Sequence, residues 1–219
     1  MVGSSITRVL SIVKAIFNFA ISENGLSLKN HFKGLQYDRF VGVGSREVIP
    51  TDDIKIIQKR FLEIDDELRW LIALISDTGM RLAEATGLLV KDIRLVSEVP
   101  HAVVQSHSWR PLKTKGSKRD IPLVGKALWS AKRIKELSES KFAFQRFNTL
   151  TFTSTNTFSA SLNKWLRSEL CQYTMQSFKH SFRNRLRYVG CHSEITNQIG
   201  GWSNKTVGQN YGNGYRLYT

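Results

Sequence analysis

The stretch GGWSNKTVGQNY near the end of the chain places Trp202 nine residues before Tyr211, among glycines and away from acidic residues. An indole N–H can donate a hydrogen bond, and a phenol can serve as a nucleophile. Because a tyrosine has a pKa of about 10, its attack requires other groups that stabilise the transition state. Without such groups elsewhere in the chain, an aromatic pair that packs a C-terminal helix is the simpler interpretation.

The segment DTGMRLAEATGL offers an arginine that a carboxylate could orient. Arg81 opens a predicted helix shortly after Gly79, and Glu84 lies three residues later on the same face. An oriented guanidinium group can bind two phosphate oxygens at once. The alternative is an ordinary surface Arg–Glu pair, which contributes little stability.

The segment SFKHSFRNRLRYVG combines a histidine with several cations, and no acid lies between Tyr173 and Gly190. Its basic residues are Lys179, His180, Arg183, Arg185 and Arg187. On a helix His180 and Arg183 face the same way, which predicts a site for an anion. The buried side is expected to consist of Phe182, Leu186 and Val189. A solvated basic helix is the alternative.

The segment PLKTKGSKRDIPL predicts a hairpin with a basic tip, in which Lys113, Lys115 and Lys118 surround a turn at Gly116. A flexible tip can carry one ammonium group to a leaving group or into a groove. Plain phosphate contacts or solubility are the alternatives.

The overall charge indicates a polyanionic partner. The 219 residues include 32 Lys and Arg against 18 Asp and Glu, for a formal net charge of +14. Nucleic acid is the leading candidate, and a basic surface that maintains solubility is the alternative. With 41% hydrophobic and 23% charged residues, most of the chain is expected to fold.

Two features favour a reduced, cytoplasmic setting. Cys171 and Cys191 form no CxxC motif, so neither a zinc finger nor a disulfide framework is supported. The apolar N-terminal segment is interrupted by Arg8, Lys14 and Asn18, and we therefore expect neither a membrane span nor an anchor there.

Hydrophobic periodicity divides the chain into two parts. Residues 5–22 repeat apolar side chains every three or four positions, which predicts an amphipathic helix that needs partners. A polar stretch with glycines follows at 41–48. Because one helix cannot form a core alone, we predict a partial helical domain over 1–44 and a second domain over 45–219.

The second domain is predicted to be mainly α with a small antiparallel β-sheet, an α+β fold. Thr51 is the expected N-cap of the helix DDIKIIQKRFLEI, and Gly79 is the expected stop of the buried helix RWLIALISDTGM. Further helices are expected in RLAEATGLLV, GKALWSAKRIKELSES, SLNKWLRSEL and the basic segment. EVPHAVVQ and RDIPLV predict strands, and TFTSTNTFSAS predicts a loop.

Taken in chain order, these segments resemble the active-site signature of the tyrosine recombinases, the phage integrase family. DTGMRLAE is similar to the family's first arginine box, KTKGSKRDIPL to its lysine hairpin, HSFRNRL to its histidine–arginine box, and GGWSNKTVGQNY to its closing box. The resemblance covers roughly residues 46–215. Trp202 stands where many relatives have histidine. The catalytic residues implied are Arg81, Lys113, His180, Arg183, Trp202 and Tyr211, supported by Glu84 and Lys115.

The resemblance implies a site-specific recombinase or integrase of a phage or mobile element. Such an enzyme cleaves and rejoins DNA strands through a 3′-phosphotyrosyl intermediate, without metal, cofactor or ATP. Tyr211 would be the nucleophile, and a hairpin lysine would protonate the leaving oxygen. Lys113 fits the pattern K-T-x-x-S-x-R-x-I-P better than Lys115. The expected partners are double-stranded DNA, further copies of the chain in a tetrameric synapse, and accessory DNA-bending proteins.

The resemblance also gives the two domains an identity. Residues 45–219 would form the tyrosine recombinase catalytic domain, and 1–44 would be the C-terminal remainder of a helical, SAM-like core-binding domain with its linker. We therefore expect the chain to be part of a longer protein.

Two other functions would use the same residues differently. A type IB topoisomerase would share the nucleophile and the cations but would nick and reseal a single duplex. A non-catalytic DNA-binding regulator would account for the positive charge. It would leave the ordered appearance of Arg81, Trp202 and Tyr211 unexplained.

Overall fold

The computed structural model describes residues 3–42, 47–113, 117–169, 173–202, 215 and 217. Contacts divide the chain into two compact units, Met1–Arg46 and Glu47–Thr219. The division falls close to the boundary expected from the sequence. The assignment of the first unit to a core-binding domain stays a prediction.

The first unit is built on helix α1, Gly3–Glu23, which confirms the helix predicted over 5–22. The loop after α1 is fastened to it through Asn30, whose side chain is buried. The Asn30 amide donates hydrogen bonds to the backbone oxygen of Lys14 at 3.0 Å and to Oδ1 of Asn18 at 2.7 Å. The side chain of Asn18, a polar residue of α1, thus helps to hold the loop.

Helix α1 also meets a length and hydropathy criterion for a membrane-spanning helix, and it does so alone among the described residues. Arg8 and Lys14 therefore do not exclude a span by themselves, contrary to the expectation from the sequence. Core helices of soluble proteins and signal sequences meet the same criterion. The cytoplasmic location stays a prediction.

The second unit contains seven helices and one three-stranded sheet within its described residues. The helices are α2 (Thr51–Ile64), α3 (Glu67–Thr78), α4 (Leu82–Thr86), α5 (Gly125–Leu137), α6 (Thr155–Glu169), α7 (Met175–Tyr188) and α8 (Ser193–Gly200). The strands are β1 (Ile93–Arg94), β2 (His101–Val104) and β3 (Arg119–Pro122). Short 3-10 turns occupy Val90–Asp92 and Gln145–Phe147. This is the mainly helical α+β fold that the sequence predicts.

Helix α3 lies at the centre of the second unit, packed against α2, α5 and α7. Its residues 70–78 are all buried, and a helix that is apolar nearly all round is stable only when neighbours surround it. The helix ends at Gly79, as expected, with a left-handed φ of 62° and a hydrogen bond from its N–H to the Ile75 oxygen. This stop places Arg81 at the edge of the core.

Gly79→Ala is expected to destabilise the protein by two effects, a steric clash and a strained backbone. An added Cβ would lie 2.4 Å from the Phe182 ring, and the left-handed backbone adds its own penalty. We expect the free energy of unfolding, measured in urea, to fall by about 2–5 kcal/mol. Gly190→Ala is the matched control. Gly190 also has a left-handed φ, of 70°, and its Cβ would meet no described atom within 4 Å. Equal losses in the two variants would contradict the close packing of Phe182.

The sheet is antiparallel in the order β1-β2-β3, so the antiparallel pairing predicted for EVPHAVVQ and RDIPLV is confirmed. The turn predicted at Gly116 lies outside the described residues. Val104 pairs with Arg119, and Ala102 pairs with Ile121. All four side chains are buried. Because alternate residues of a strand share a face, Arg119 lies on the face of β3 that packs against the core.

Three element boundaries differ from the prediction. Pro50 rather than Thr51 is the N-cap of α2, and no side chain caps this helix. The helix expected in RLAEATGLLV ends at Thr86, because the chain then extends and pairs Leu89 with Phe142. Helix α6 begins at Thr155, within the predicted loop. Its buried face is formed by Phe158, Leu162 and Leu166, spaced four residues apart.

The buried side of α7 also lies nearer to its N-terminus than predicted. Met175, Phe178 and Phe182 are buried, whereas Leu186 is half-buried and Val189 is 74% exposed. Val189 is the C-cap residue, beyond the last helical turn. The first half of α7 therefore faces the interior, which brings its polar residues close to the core.

Candidate active site

Glu84 anchors a buried cluster of charged side chains. Its Oε1 accepts a hydrogen bond from Nη1 of Arg81 at 2.6 Å, and its Oε2 accepts one from Nη2 of Arg119 at 2.8 Å. The backbone N–H of Arg81 also donates to Oε2, at 2.9 Å. The side chain of Glu84 is only 5% exposed. Arg81 and Glu84 are thus not an ordinary pair on a helix surface. They belong to a buried network in which one carboxylate orients two guanidinium groups.

Glu84 is ionised in this environment. Burial by itself would raise the pKa of this carboxyl group, but hydrogen bonds and positive charge from Arg119 and Arg81 outweigh burial and lower the pKa to about 2. The two arginines therefore keep a negative partner throughout the neutral pH range.

Arg119 is a residue of this cluster that the sequence interpretation missed. Besides Glu84, it binds the backbone oxygen of Ile199 through Nε and that of Ser117 through Nη1, both at 2.8 Å. It thereby ties β3 to the end of α8. Its signal was the alternation in RDIPL, which puts Arg119 on the same face as the buried Ile121.

Arg81 reaches from Glu84 to the segment that follows α8. Its Nη2 donates to the backbone oxygen of Gly201 at 2.8 Å, and Nη1 lies 3.4 Å from Oγ of Ser117. The side chain is 28% exposed, so the guanidinium group is accessible from solvent. Such a group can be both held in place and open to a ligand.

Arg183 approaches the same segment from α7. Its Cζ lies 4.8 Å from the centre of the Trp202 ring, a cation–π contact, and its Nη2 lies 3.4 Å from Oδ1 of Asn197. Burial, followed by the charge of Arg187, lowers the pKa of Arg183. Arg81 and Arg183 thus meet at consecutive residues, Gly201 and Trp202, although they are far apart in the sequence.

Lys179 lies between these arginines and was assigned no role from the sequence. Its Nζ donates to the backbone oxygens of Gly79 at 2.9 Å and Gly200 at 2.6 Å. The same atom lies 4.6 Å from the centre of the Trp202 ring. The sequence could have indicated this position, because Lys179 lies one helical turn after Met175 and one turn before Phe182, which are both buried. A lysine on the apolar face of a helix indicates a built site.

Lys179 changes its charge near physiological pH, where the protonated and neutral forms are both present. Burial lowers the pKa of its ammonium group to about 7, opposed by the charge of Glu84 and reinforced by Arg81, Arg119 and Arg183.

Trp202 depends on two glycines for its position. A Cβ at Gly200 would lie only 1.6 Å from the Trp202 ring. Gly201 has a left-handed φ of 62°, and its Cβ would lie 2.7 Å from Nη1 of Arg119. The GGW sequence therefore lets the indole ring fold back over the end of α8, against Lys179.

The other predicted site residues are placed less completely. His180 is half-buried on α7. Lys113 is exposed at the end of the described part of the hairpin, which continues at Ser117. Lys115 and Tyr211 lie outside the described residues. The catalytic roles of these four residues stay predictions, as do those of the predicted site residues that the structure brings together.

Not every cation of the basic segment belongs to this site. Nη1 of Arg185 binds Oδ1 of Asp77 at 2.9 Å, and Nη2 contacts the backbone oxygen of Ser76, which fastens α7 to α3. Arg187 is exposed. Within the described parts of the chain, His, Cys, Asp and Glu side chains form no group of three that could hold a metal ion. The site that remains suits an anion such as a phosphate group.

Comparisons with known proteins give a consistent result. Residues 49–216 match the sequence model of the phage integrase family. The fold is similar to that of the Tn1549 transposon integrase in complex with circular intermediate DNA, with a TM-score of 0.71 at 19% identity over 100% of this chain and 77% of that chain. A lambda integrase dimer bound to a COC′ core site gives a TM-score of 0.69 at 15% identity, over 98% of this chain and 77% of that one.

A lambda integrase tetramer bound to a Holliday junction is also similar, with a TM-score of 0.67 at 15% identity, over 94% of this chain and 60% of that chain. At these identities the similarity establishes the fold. No curated protein sequence matches the chain.

Proposed function

Because this chain belongs to the phage integrase family and is a tyrosine recombinase, we propose that it cleaves and rejoins DNA strands through a 3′-phosphotyrosyl intermediate. The observation that carries the proposal is the convergence of Arg81 and Arg183 on Gly201 and Trp202. Two guanidinium groups at one place can bind the non-bridging oxygens of a single DNA phosphate.

The charge balance of the cluster supports an anionic ligand. Among the described residues that form it, Arg81, Arg119, Lys179 and Arg183 face a single carboxylate, Glu84. Both oxygens of Glu84 are already occupied by the arginines. A phosphate diester entering the site would therefore meet uncompensated positive charge, which favours binding and offsets the charge that develops during cleavage.

The proposed reaction is a transesterification. The phenol oxygen of Tyr211 attacks the phosphorus atom, and its proton passes to His180. A bond forms between this oxygen and phosphorus while the bond from phosphorus to the 5′ oxygen breaks. Lys113 gives the leaving oxygen its proton, and Trp202 adds an N–H donor. Because the phosphotyrosyl bond conserves the energy of the diester, a 5′-hydroxyl group can reverse the step without ATP. The arginines supply the positive charge, so the mechanism requires no metal ion.

Recombination between two duplexes requires several active sites in one assembly. The similar lambda integrase was solved as a tetramer on a Holliday junction. We therefore propose that the protein acts as a homo-oligomer on double-stranded DNA in the cytoplasm. DNA-bending proteins are its proposed further partners. The first unit would act as part of a DNA-binding clamp.

The proposal is tested with a duplex that carries a nick beside the scissile phosphate. The short leaving strand diffuses away, so a phosphotyrosyl complex accumulates and is detected on a denaturing gel. Covalent capture followed by joining to a second duplex supports a recombinase. Relaxation of supercoiled DNA without exchange would instead indicate a topoisomerase. A mobility shift without covalent capture would indicate a DNA-binding regulator.

DNA binding is expected to weaken steeply as salt is added, because the net charge of +14 implies many phosphate contacts. The logarithm of the binding constant should fall linearly with the logarithm of salt concentration, with a slope of about −0.9 per neutralised phosphate. Fluorescence anisotropy with a labelled duplex between about 50 and 200 mM salt gives this slope. A flat response would contradict a DNA-binding role.

A further inference from the structure

We propose that Lys179 is a further phosphate-binding residue of this site, and that its ammonium group contacts the same DNA phosphate as Arg81. The inference rests on the proposed function, since it concerns the phosphate that the enzyme would cleave. It adds a residue to which the sequence pattern assigned no role.

Within the described part of the chain, the hydrogen bonds of Lys179 leave it one donor for a ligand. An ammonium group carries three N–H donors. Two are used by the backbone oxygens of Gly79 and Gly200, at 2.9 and 2.6 Å. These carbonyl groups fix the position of Nζ without neutralising its charge. The group is thus oriented in advance, as a transition-state donor should be.

The position of Lys179 relative to Arg81 supports a shared ligand. Lys179 binds the oxygen of Gly200, and Arg81 binds the oxygen of the next residue, Gly201. The Trp202 ring covers Nζ at 4.6 Å and also contacts Arg183. Three cations therefore border one short segment, and an anion beside that segment would lie within reach of each.

Among the described residues, the charged groups around Lys179 include no acid that pairs with it alone. Arg81 lies beside it at the start of α4, Arg119 on β3 and Arg183 on α7, and all three are positive. The acid that faces it is Glu84 on α4, whose oxygens accept hydrogen bonds from Arg81 and Arg119. A bound phosphate would supply the missing partner, and it would favour the protonated form of the lysine.

A dependence on pH follows from this arrangement. Burial lowers the pKa of Lys179 to about 7 in the free protein, so the fraction that is charged falls as pH rises above 7. The second-order rate of covalent complex formation reports groups of the free enzyme. This rate should decline by up to about tenfold per pH unit above neutrality. An arginine at position 179 would stay charged and would remove the decline.

The experiment compares wild-type protein, Lys179→Gln and Lys179→Arg on the nicked duplex at subsaturating concentration, between about pH 6 and pH 9. We expect Lys179→Gln to form the covalent complex about 10²–10³-fold more slowly, as for loss of one oriented donor. We expect Lys179→Arg to keep measurable activity and to lose the decline at high pH. Lys132→Gln, an exposed lysine on α5, is the matched control and should follow the wild-type pH profile.

The outcomes separate this inference from the proposed function. If wild-type protein forms no covalent complex, the proposed function fails. If it does, and Lys179→Gln reacts at the wild-type rate, only the role of Lys179 is overturned. An unchanged decline in Lys179→Arg also overturns it. If Lys179 had only a structural role, Lys179→Gln would have a lower melting temperature, and the rate for Lys179→Arg would still decline at high pH. That result too would count against phosphate binding.

Discussion

Tyr211→Phe is expected to abolish the covalent complex with nicked DNA while leaving DNA affinity nearly unchanged. The substitution removes one oxygen atom, which is the proposed nucleophile, and keeps the aromatic ring. Binding depends on many phosphate contacts that the hydroxyl group does not make. The two properties are measured separately, by denaturing gel for the covalent complex and by anisotropy for binding.

Tyr215→Phe is the matched control, four residues further along the same tail. The Tyr215 hydroxyl donates to Oε2 of Glu194 at 3.1 Å, and this hydrogen bond raises the pKa of the phenol. Because the proposal makes Tyr211 the nucleophile, Tyr215→Phe should retain covalent capture. If Tyr211→Phe formed the covalent complex and Tyr215→Phe did not, the nucleophile would be Tyr215 instead.

Glu84→Gln is expected to lower both stability and activity. The amide cannot balance the guanidinium group of Arg119, whose side chain is 3% exposed, so a buried charge loses its partner. Breaking such a pair costs about 3–5 kcal/mol, which urea unfolding measures. Arg81 also loses its anchor, and a misplaced phosphate donor should slow covalent complex formation by about 10²-fold.

Glu136→Gln provides the comparison for a solvent-exposed pair. Oε2 of Glu136 accepts a hydrogen bond from Nη1 of Arg133 at 2.9 Å, but the glutamate side chain is 63% exposed. We expect a loss below about 1 kcal/mol and unchanged covalent capture. If Glu84→Gln lost as little unfolding free energy as Glu136→Gln and captured DNA as well, the buried network would contribute neither the stability nor the activity predicted from its geometry.

The same carboxylate should make stability depend on pH in acid. The pKa of Glu84 falls from 4.5 to about 2 on folding, so its stabilising contribution is complete above pH 4.5 and is lost as pH falls toward 2. A shift of this size corresponds to about 3 kcal/mol. Glu84→Gln should have a flatter profile of unfolding free energy over that interval, whereas Glu136→Gln should follow the wild type.

The sequence identified the family more completely than it predicted how the site is built. The order and spacing of Arg81, the HSFRNRL segment and the GGW segment indicated the family, which the comparison confirms. Periodicity also identified the buried helix α3 and its stop at Gly79, because both follow from local preferences of the chain. The helix predicted in SLNKWLRSEL is confirmed, but α6 begins earlier than expected, because burial of Phe158 outweighs the loop preference of a Ser/Thr-rich segment.

Only the tertiary structure distinguished the roles of the cations. Lys179 and Arg185 look alike in a basic helix, yet Lys179 lies against Trp202 and Arg185 pairs with Asp77 of α3. Sequence spacing gives the direction of a side chain around its own helix, but the partner it meets depends on which elements pack there. Arg119 became a site residue for the same reason: β3 packs where its guanidinium group can join Glu84 to α8.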